Sequence, residues 1–254
     1  MSSPAERFSA TAAGYAATMA PSVRVMALEV VRRARLRPGE RVLDIGTGTG
    51  SAAAAARGDG RDVTGIDAAA GMLEIARREV SGVAFAAMDF AALDFGDDAF
   101  DVVIACHALN FATDHAAALR EWRRVTRAGG RLSLSVPGPL EASPHALYAE
   151  IYARYGVARS PRYPTADGLR GQATDAGWIE VTVEDDPTTA IGLPDDASFR
   201  LWREIGTRGA LASGLTEAQH RSMTDEMLAV TPRDASGILR IPFGTLYLAA
   251  ARSG

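Results

Sequence analysis

The sequence predicts a doubly wound α/β fold, a mostly parallel sheet with helices on both faces, and three observations carry that expectation. Between residues 41 and 136, short apolar runs alternate with stretches of helical periodicity. The first run, Arg41–Ile45, leads straight into the glycine-rich turn Gly46-Thr47-Gly48-Thr49-Gly50. The second ends beside Asp67, 21 residues after Gly46. A strand, a glycine turn, a helix and an acid closing the next strand form the local signature of a nucleoside-binding sheet.

In chain order, residues 1–37 read as helices. Phe8, Tyr15 and Met19, then Val23, Met26, Ala27, Val30 and Val31, fall at helical spacing, and Arg37-Pro38-Gly39 ends the run. The first strand, Arg41–Ile45, is followed by a helix over Thr49–Arg57 that Gly58-Asp59-Gly60 closes. Asp62–Ile66 is the second strand, and Ala69–Val80 a helix with Met72, Ile75 and Ala76 inward. Val83–Ala87 and Phe100–Ala105 are strands three and four, the latter continuous and β-branched, as a strand covered on both faces requires. A helix over Thr113–Arg127 and a strand over Gly130–Val136 complete the alternation. Beyond Pro137, Pro144–Tyr155 reads as helical, and Thr165 caps a helix that Gly177 stops. Trp178–Glu184 and Ile241–Ala250 are strands six and seven. The long insertion between them, 187–240, is expected to be helical and loop-like, anchored by Phe199, Leu201, Trp202 and Ile205, and to cap the sheet's C-terminal edge.

Composition excludes several chemistries. All 27 basic residues are arginine, so a Schiff-base lysine, a P-loop lysine and a Tyr-x-x-x-Lys pair are ruled out. A net charge of −4 without a basic stripe argues against nucleic acid as a partner. Neither a secretory signal nor an apolar run long enough to span a membrane is visible, and Cys106 stands alone. These features point to a reducing, cytoplasmic location, with no membrane insertion. The four histidines and one cysteine have no ligand spacing, so no metal is expected.

The turn itself separates the possible cofactors. A pyrophosphate-binding turn has the spacing Gly-x-Gly-x-x-Gly, whereas Gly46, Gly48 and Gly50 are each two apart. Asp44 lies two residues before Gly46, where a carboxylate would repel a pyrophosphate and attract an ammonium. S-adenosyl-L-methionine (SAM) carries an ammonium and no phosphate. Asp67 is placed to accept hydrogen bonds from a ribose.

On these residues, and over about Phe8 to Val136, the chain resembles the class I SAM-dependent methyltransferases. It is most similar to the small-molecule branch that includes the ubiquinone/menaquinone-biosynthesis enzymes. The resemblance implies a seven-stranded sheet ordered 3-2-1-4-5-7-6 with strand seven antiparallel, with N-terminal helices and a helical cap. It divides a single domain over 1–254 into N-terminal helices (1–37), a SAM-binding core (38–136), a substrate cap (137–165 and 187–240) and segments completing the sheet (166–186 and 241–251). It implies that Asp44 holds the methionyl ammonium directly or through water, that Gly46, Thr47 and Gly48 line the turn, and that Asp67 holds the ribose. Met72 is expected against the adenine, Asp89 at its amino group and Phe90 at its edge; Ala68 and Met88 complete the adenosine side. Tyr15 is expected to close over the methionyl end, near Cys106.

For catalysis, His107 at the end of strand four is the first choice of base, ahead of His115, His145 and His220. Tyr148, Tyr152, Tyr155, Trp202 and Phe243 are expected to offer an aromatic wall to a flat substrate. No Asn/Asp-Pro-Pro-Tyr/Phe motif for planar nitrogens is present, which favours an O-, C- or S-acceptor, with O- or C-methylation expected first. The expected activity is methyl transfer to a small molecule by a monomer or homodimer. A SAM-binding protein that does not methylate is the alternative the sequence leaves open, and an NAD(P)-dependent oxidoreductase the one it disfavours.

Overall fold

Three short helices precede the sheet: α1 (Pro4–Ala10), α2 (Ala12–Thr18) and α3 (Ala20–Ala34). In the computed structural model, which describes residues 3–157, 164–206 and 214–254, the core then runs through β1 (Arg41–Ile45), α4 (Ser51–Ala56), β2 (Asp62–Asp67) and α5 (Ala70–Glu79). It continues through β3 (Ala84–Ala87), β4 (Phe100–Cys106), α6 (His115–Val125) and β5 (Thr126–Pro137). The second half holds α7 (Pro144–Leu147), α8 (Ala149–Arg154), α9 (Ala166–Asp175), β6 (Ile179–Asp186), β7 (Ala190–Leu193), α10 (Asp196–Gly206), α11 (Glu217–Val230), β8 (Leu239–Pro242) and β9 (Thr245–Ala251).

Seven strands form one sheet in the order β3-β2-β1-β4-β5-β9-β6. The first five are parallel, and β9 inserts antiparallel between β5 and β6. This is the predicted order. Strand parity explains the two cores. Leu43, Ile45, Val103 and Leu134 pack on one face against Leu119 and Trp122 of α6 and Leu169 of α9. Val42, Val102 and Ile104 pack on the other against Ala27, Val30 and Ala34 of α3 and the alanines of α4. The capping signals read from the sequence operate as expected. Thr165 accepts a hydrogen bond from the Gly168 amide at 3.1 Å, and Gly177 follows α9 with φ +90°.

Four expectations need correction. The helix expected over 144–155 breaks at Tyr148, whose φ/ψ of −107°/17° ends α7 and starts α8. The insertion 187–240 is not only helix and loop. It contributes β7, which pairs with β8 in a separate two-stranded sheet, Ala190 opposite Pro242 and Leu193 opposite Leu239. The strand expected from Ile241 therefore divides: Ile241 and Pro242 belong to β8, and β9 begins at Thr245. Phe243-Gly244 forms the break, where a side chain on Gly244 would meet Ala142 Cβ at 2.7 Å. The small sheet, α8, α10 and α11 enclose a second apolar cluster of Tyr148, Tyr152, Ile191, Phe199, Trp202, Met223 and Met227. Leu201, expected to anchor the insertion, instead lies 37% exposed, with its side chain against Gly14 of α2.

Candidate functional site

The site grows from the turn after β1, at the C-terminal edge of the parallel strands where ligands of such sheets bind. Gly46, Gly48 and Gly50 have φ of +66°, +56° and +87°. At Gly46 the conformation is compounded by crowding, since a Cβ there would lie 2.5 Å from Ala108 Cβ. We predict that Gly46→Ala destabilises the protein by about 3 kcal/mol, the sum of left-handed strain and overpacking, as read by urea denaturation. At Gly48, by contrast, a Cβ would meet nothing within 4 Å, so there is room above the turn.

Alternation along β1 turns Asp44 to the α4 face, where it is fully buried. Its Oδ2 accepts hydrogen bonds from Thr47 Oγ1 at 2.7 Å and the Ala53 amide at 2.9 Å. Its Oδ1 is buried with no partner. Burial pushes the carboxyl up to about 7 against the lowering effect of those two bonds, with nearby Asp67 adding to the rise. A buried acceptor left unsatisfied costs about 1–3 kcal/mol, more for a charged group, so this oxygen is poised for a cationic donor.

Asp67, at the end of β2, accepts from the Gly48 amide at 2.9 Å and the Ala69 amide at 2.8 Å. It thus ties the glycine turn to the start of α5. Burial raises its pKa, opposed by these backbone bonds. Thr47 is buried and its amide donates to Ile66 O at 2.8 Å, while Ala68 is exposed. Tyr15 of α2 lies over this edge: burial raises its hydroxyl pKa, and nearby Cys106 and Asp67 raise it further. Its ring meets Phe8 edge-on at 6.1 Å, and Phe8 meets Phe111 at 5.2 Å. Met72 faces inward on α5. It is 2% exposed beneath the N-terminal helices, with Ala12, Tyr15 and Ile75 around it.

The segment after β3 divides. The Met88 amide donates to Asp67 O at 3.1 Å, and its sulfur accepts from the Asp94 amide. Phe90 packs edge-on against Trp122 at 6.4 Å, while its carbonyl accepts from the Trp122 indole. Both therefore flank the core. Asp89 is exposed, with Oδ1 closing a turn on the Ala91 amide at 2.8 Å.

At the end of β4, Cys106 shares the face of Asp44, and burial lifts its thiol to about 12. His107 follows in a left-handed conformation, φ +53°, with its amide donating to Ser135 O at 3.0 Å. Both ring nitrogens are buried without a hydrogen-bond partner, and burial lowers the ring's pKa to about 4. Phe243 lies 5.3 Å away at a 56° tilt. Three residues on, Asn110 Oδ1 is likewise buried and unpartnered. The sequence gives Asn110 no role, because an amide's satisfaction depends on the folded loop around it.

The other candidates lie elsewhere. His115 Nδ1 shares a hydrogen bond with Gln172 at 3.2 Å, His145 packs on the Tyr152 ring at 4.8 Å, and His220 is on α11. Of the expected aromatic wall, Tyr148, Tyr152 and Trp202 are buried in the second cluster, and the Tyr155 hydroxyl donates to Glu226 at 2.6 Å. Only Phe243 of that set lies against His107. Among the described residues, no group of three or more His, Cys, Asp or Glu could hold a metal ion, and no helix is long and apolar enough to cross a membrane.

A methyltransferase-domain family model matches residues 43–134, the stretch from β1 to β5. A demethylmenaquinone methyltransferase of Beutenbergia cavernae is 34% identical over 196 residues, covering 75% of this chain and 78% of its own length. Among solved structures, a chain of the complex between the Haloferax volcanii Trm112 methyltransferase activator and its methyltransferase superposes with a TM-score of 0.63 at 23% identity. That match covers 98% of this chain and 99% of the other. A phosphoethanolamine N-methyltransferase of Haemonchus contortus, solved with S-adenosylhomocysteine, gives 0.58 at 17% identity over 91% of this chain and 53% of its own. Both structural likenesses are of fold. With the sequence match to the Beutenbergia enzyme and the domain model over the glycine turn, they place the chain in the family of SAM-dependent methyltransferases, with S-adenosyl-L-methionine as cofactor.

Proposed function

We propose that this protein methylates a planar, hydroxylated small molecule at oxygen or ring carbon, with His107 as the proton acceptor. The observation that carries the reading is the His107 imidazole, buried, neutral and without a partner at the edge of β4. The name of the Beutenbergia relative, which refers to a demethylated quinone, supports an acceptor of quinone type.

The residues fit the cofactor. The unpartnered Asp44 Oδ1 suits the ammonium, the space over Gly48 admits the chain, and Asp67 retains acceptor capacity for the ribose. When bound, SAM supplies a methyl group on a cationic sulfur, an electrophile with a good leaving group. An electron-rich acceptor is therefore needed, so a quinone-type ring must enter as its reduced, hydroxylated form. His107 accepts a hydrogen bond from the acceptor hydroxyl. With a pKa near 4, it takes the proton only as the hydroxyl gives up electron density to the bond being formed and its O–H becomes acidic. Tyr15 and Phe8 of the N-terminal helices cover the edge and exclude water, and Phe243 flanks the ring.

The test is release of S-adenosylhomocysteine when reduced, hydroxylated naphthalenes are added to the SAM-loaded protein; release with none of them overturns the acceptor class. Asp67→Ala is expected to weaken S-adenosylhomocysteine about thirtyfold, since hydrogen bonds to a charged group are worth about 1.5–3 kcal/mol. Native circular dichroism with unchanged affinity would remove Asp67 from the ribose.

A further inference from the structure

We infer that Asn110 reads the acceptor, its side-chain carbonyl accepting a hydrogen bond from a second hydroxyl on the ring that His107 helps to methylate. The inference rests on the acceptor reading above and adds a specificity residue to it. Asn110 sits in the connection from β4 to α6, in a single 3-10 turn over Leu109–Phe111. That turn is held from three directions. Leu109 is fully buried in the main core, Ala108 abuts Gly46, and Phe111 meets Phe8 of α1 edge-on at 5.2 Å. Backbone bonds from the Phe111 amide to Ala108 O and from the Ala112 amide to Leu109 O close it. Asn110 is therefore fixed in place, with a buried Oδ1 that meets no donor in the protein.

A carbonyl oxygen only accepts, so whatever satisfies it must bring an O–H or N–H. In the proposed site the cofactor's ammonium is taken by Asp44, its ribose hydroxyls by Asp67 and its adenine amino group by the segment after β3 at Asp89. The remaining donor belongs to the acceptor. Across this one turn, then, stand two unsatisfied acceptors of different kinds: the His107 imidazole, able to take a proton, and the Asn110 amide, able only to recognise one. A ring with two hydroxyls satisfies both; a ring with one leaves the amide unpaired. A site whose buried polar group is left unpaired discriminates against the analogue that lacks the matching group.

The probes are 1,4-dihydroxynaphthalene, kept reduced, and 1-naphthol, which lacks the second hydroxyl. Their binding to the S-adenosylhomocysteine complex is measured by calorimetry, and their turnover by S-adenosylhomocysteine release. The wild type is expected to favour the diol by about tenfold or more. Asn110→Leu is expected to erase that preference through KM for the diol, with S-adenosylhomocysteine affinity within twofold of wild type. Asn110→Asp keeps an acceptor oxygen and is expected to keep the preference, so it serves if the leucine variant does not fold. An unchanged preference in Asn110→Leu overturns the inference, and so does a tenfold loss of S-adenosylhomocysteine affinity, which would assign Asn110 to the cofactor. Selective binding of the diol without turnover would overturn the methyl-transfer reading while sustaining the role of Asn110. Binding of neither probe overturns both.

Discussion

Asp44→Asn is expected to lower S-adenosylhomocysteine affinity about a hundredfold at pH 8 while leaving the fold intact, because charge-assisted hydrogen bonds contribute about 1.5–3 kcal/mol. The substitution is clean for a structural reason. Both protein donors, Thr47 Oγ1 and the Ala53 amide, bond the same carboxylate oxygen, Oδ2. An asparagine can set its carbonyl there and leave its amide nitrogen where the unpartnered Oδ1 now lies, presenting hydrogens to an ammonium in place of a negative charge. Burial holds the native carboxyl at about 7, well above an unfolded value near 3.9, so in the free protein ionisation opposes folding. The contribution of Asp44 to stability is greatest when it is protonated and declines as pH rises from about 4 to 7. In the proposed site cofactor binding is expected to reverse this preference, since an ammonium favours the ionised form. Affinity for S-adenosylhomocysteine is therefore expected to fall by about tenfold per pH unit below pH 7 in the wild type and to lose that slope in Asp44→Asn. Calorimetry from pH 5.5 to 8 reads both effects. A slope that persists in the variant would place the titrating group elsewhere.

Asp44 and Asp67 are legible as candidates without a structure because each is placed by its own strand of the parallel sheet. Asp44 lies two residues before Gly46 and Asp67 closes the next parallel strand, so position along each strand fixes which sheet edge the carboxylate reaches. The same logic carried the order of the main sheet. It failed for β7 and β8, which pair Leu193 with Leu239 across 46 positions of sequence, through four-residue strands too short to display a period of two. It failed too for the aromatic residues of the second half of the chain. Tyr148 with Tyr152, and Phe199 with Trp202, fall at helical spacing, a pattern shared by a core and a pocket wall, and only packing against Met223 and Met227 decides between them. Met72 faces inward as read, but what covers it is the N-terminal helices, a contact between segments some 60 residues apart. Asn110 was invisible for a further reason: nothing in a sequence distinguishes an amide that finds its partners in the loop from one that does not.

His107→Asn is expected to cut kcat by about a hundredfold or more, within the range that positioned general bases contribute, with S-adenosylhomocysteine affinity retained within twofold. Asparagine is the informative replacement. His107 has φ +53°, a region asparagine tolerates and alanine does not, so the variant removes the imidazole without adding backbone strain. The pH dependence separates a buried neutral imidazole from an exposed one. Burial lowers the ring's pKa to about 4, so kcat at saturating SAM should stay level down to about pH 5; a decline centred near 6.5 would contradict the buried, neutral ring. Stability provides the second readout. The folded pKa lies below the unfolded value of about 6.5, so the unfolded chain takes up the proton first, and His107 removes stability as pH falls from 6.5 towards 4. Asp44 acts in the opposite sense over that interval, gaining stability as it protonates below 7. The two contributions offset in the free wild-type protein. Removing either should expose the other: His107→Asn becomes more stable on acidification from pH 6.5 to 4.5, and Asp44→Asn less stable, by urea midpoints. Parallel pH profiles for the two variants would mean that neither group is buried as the site requires.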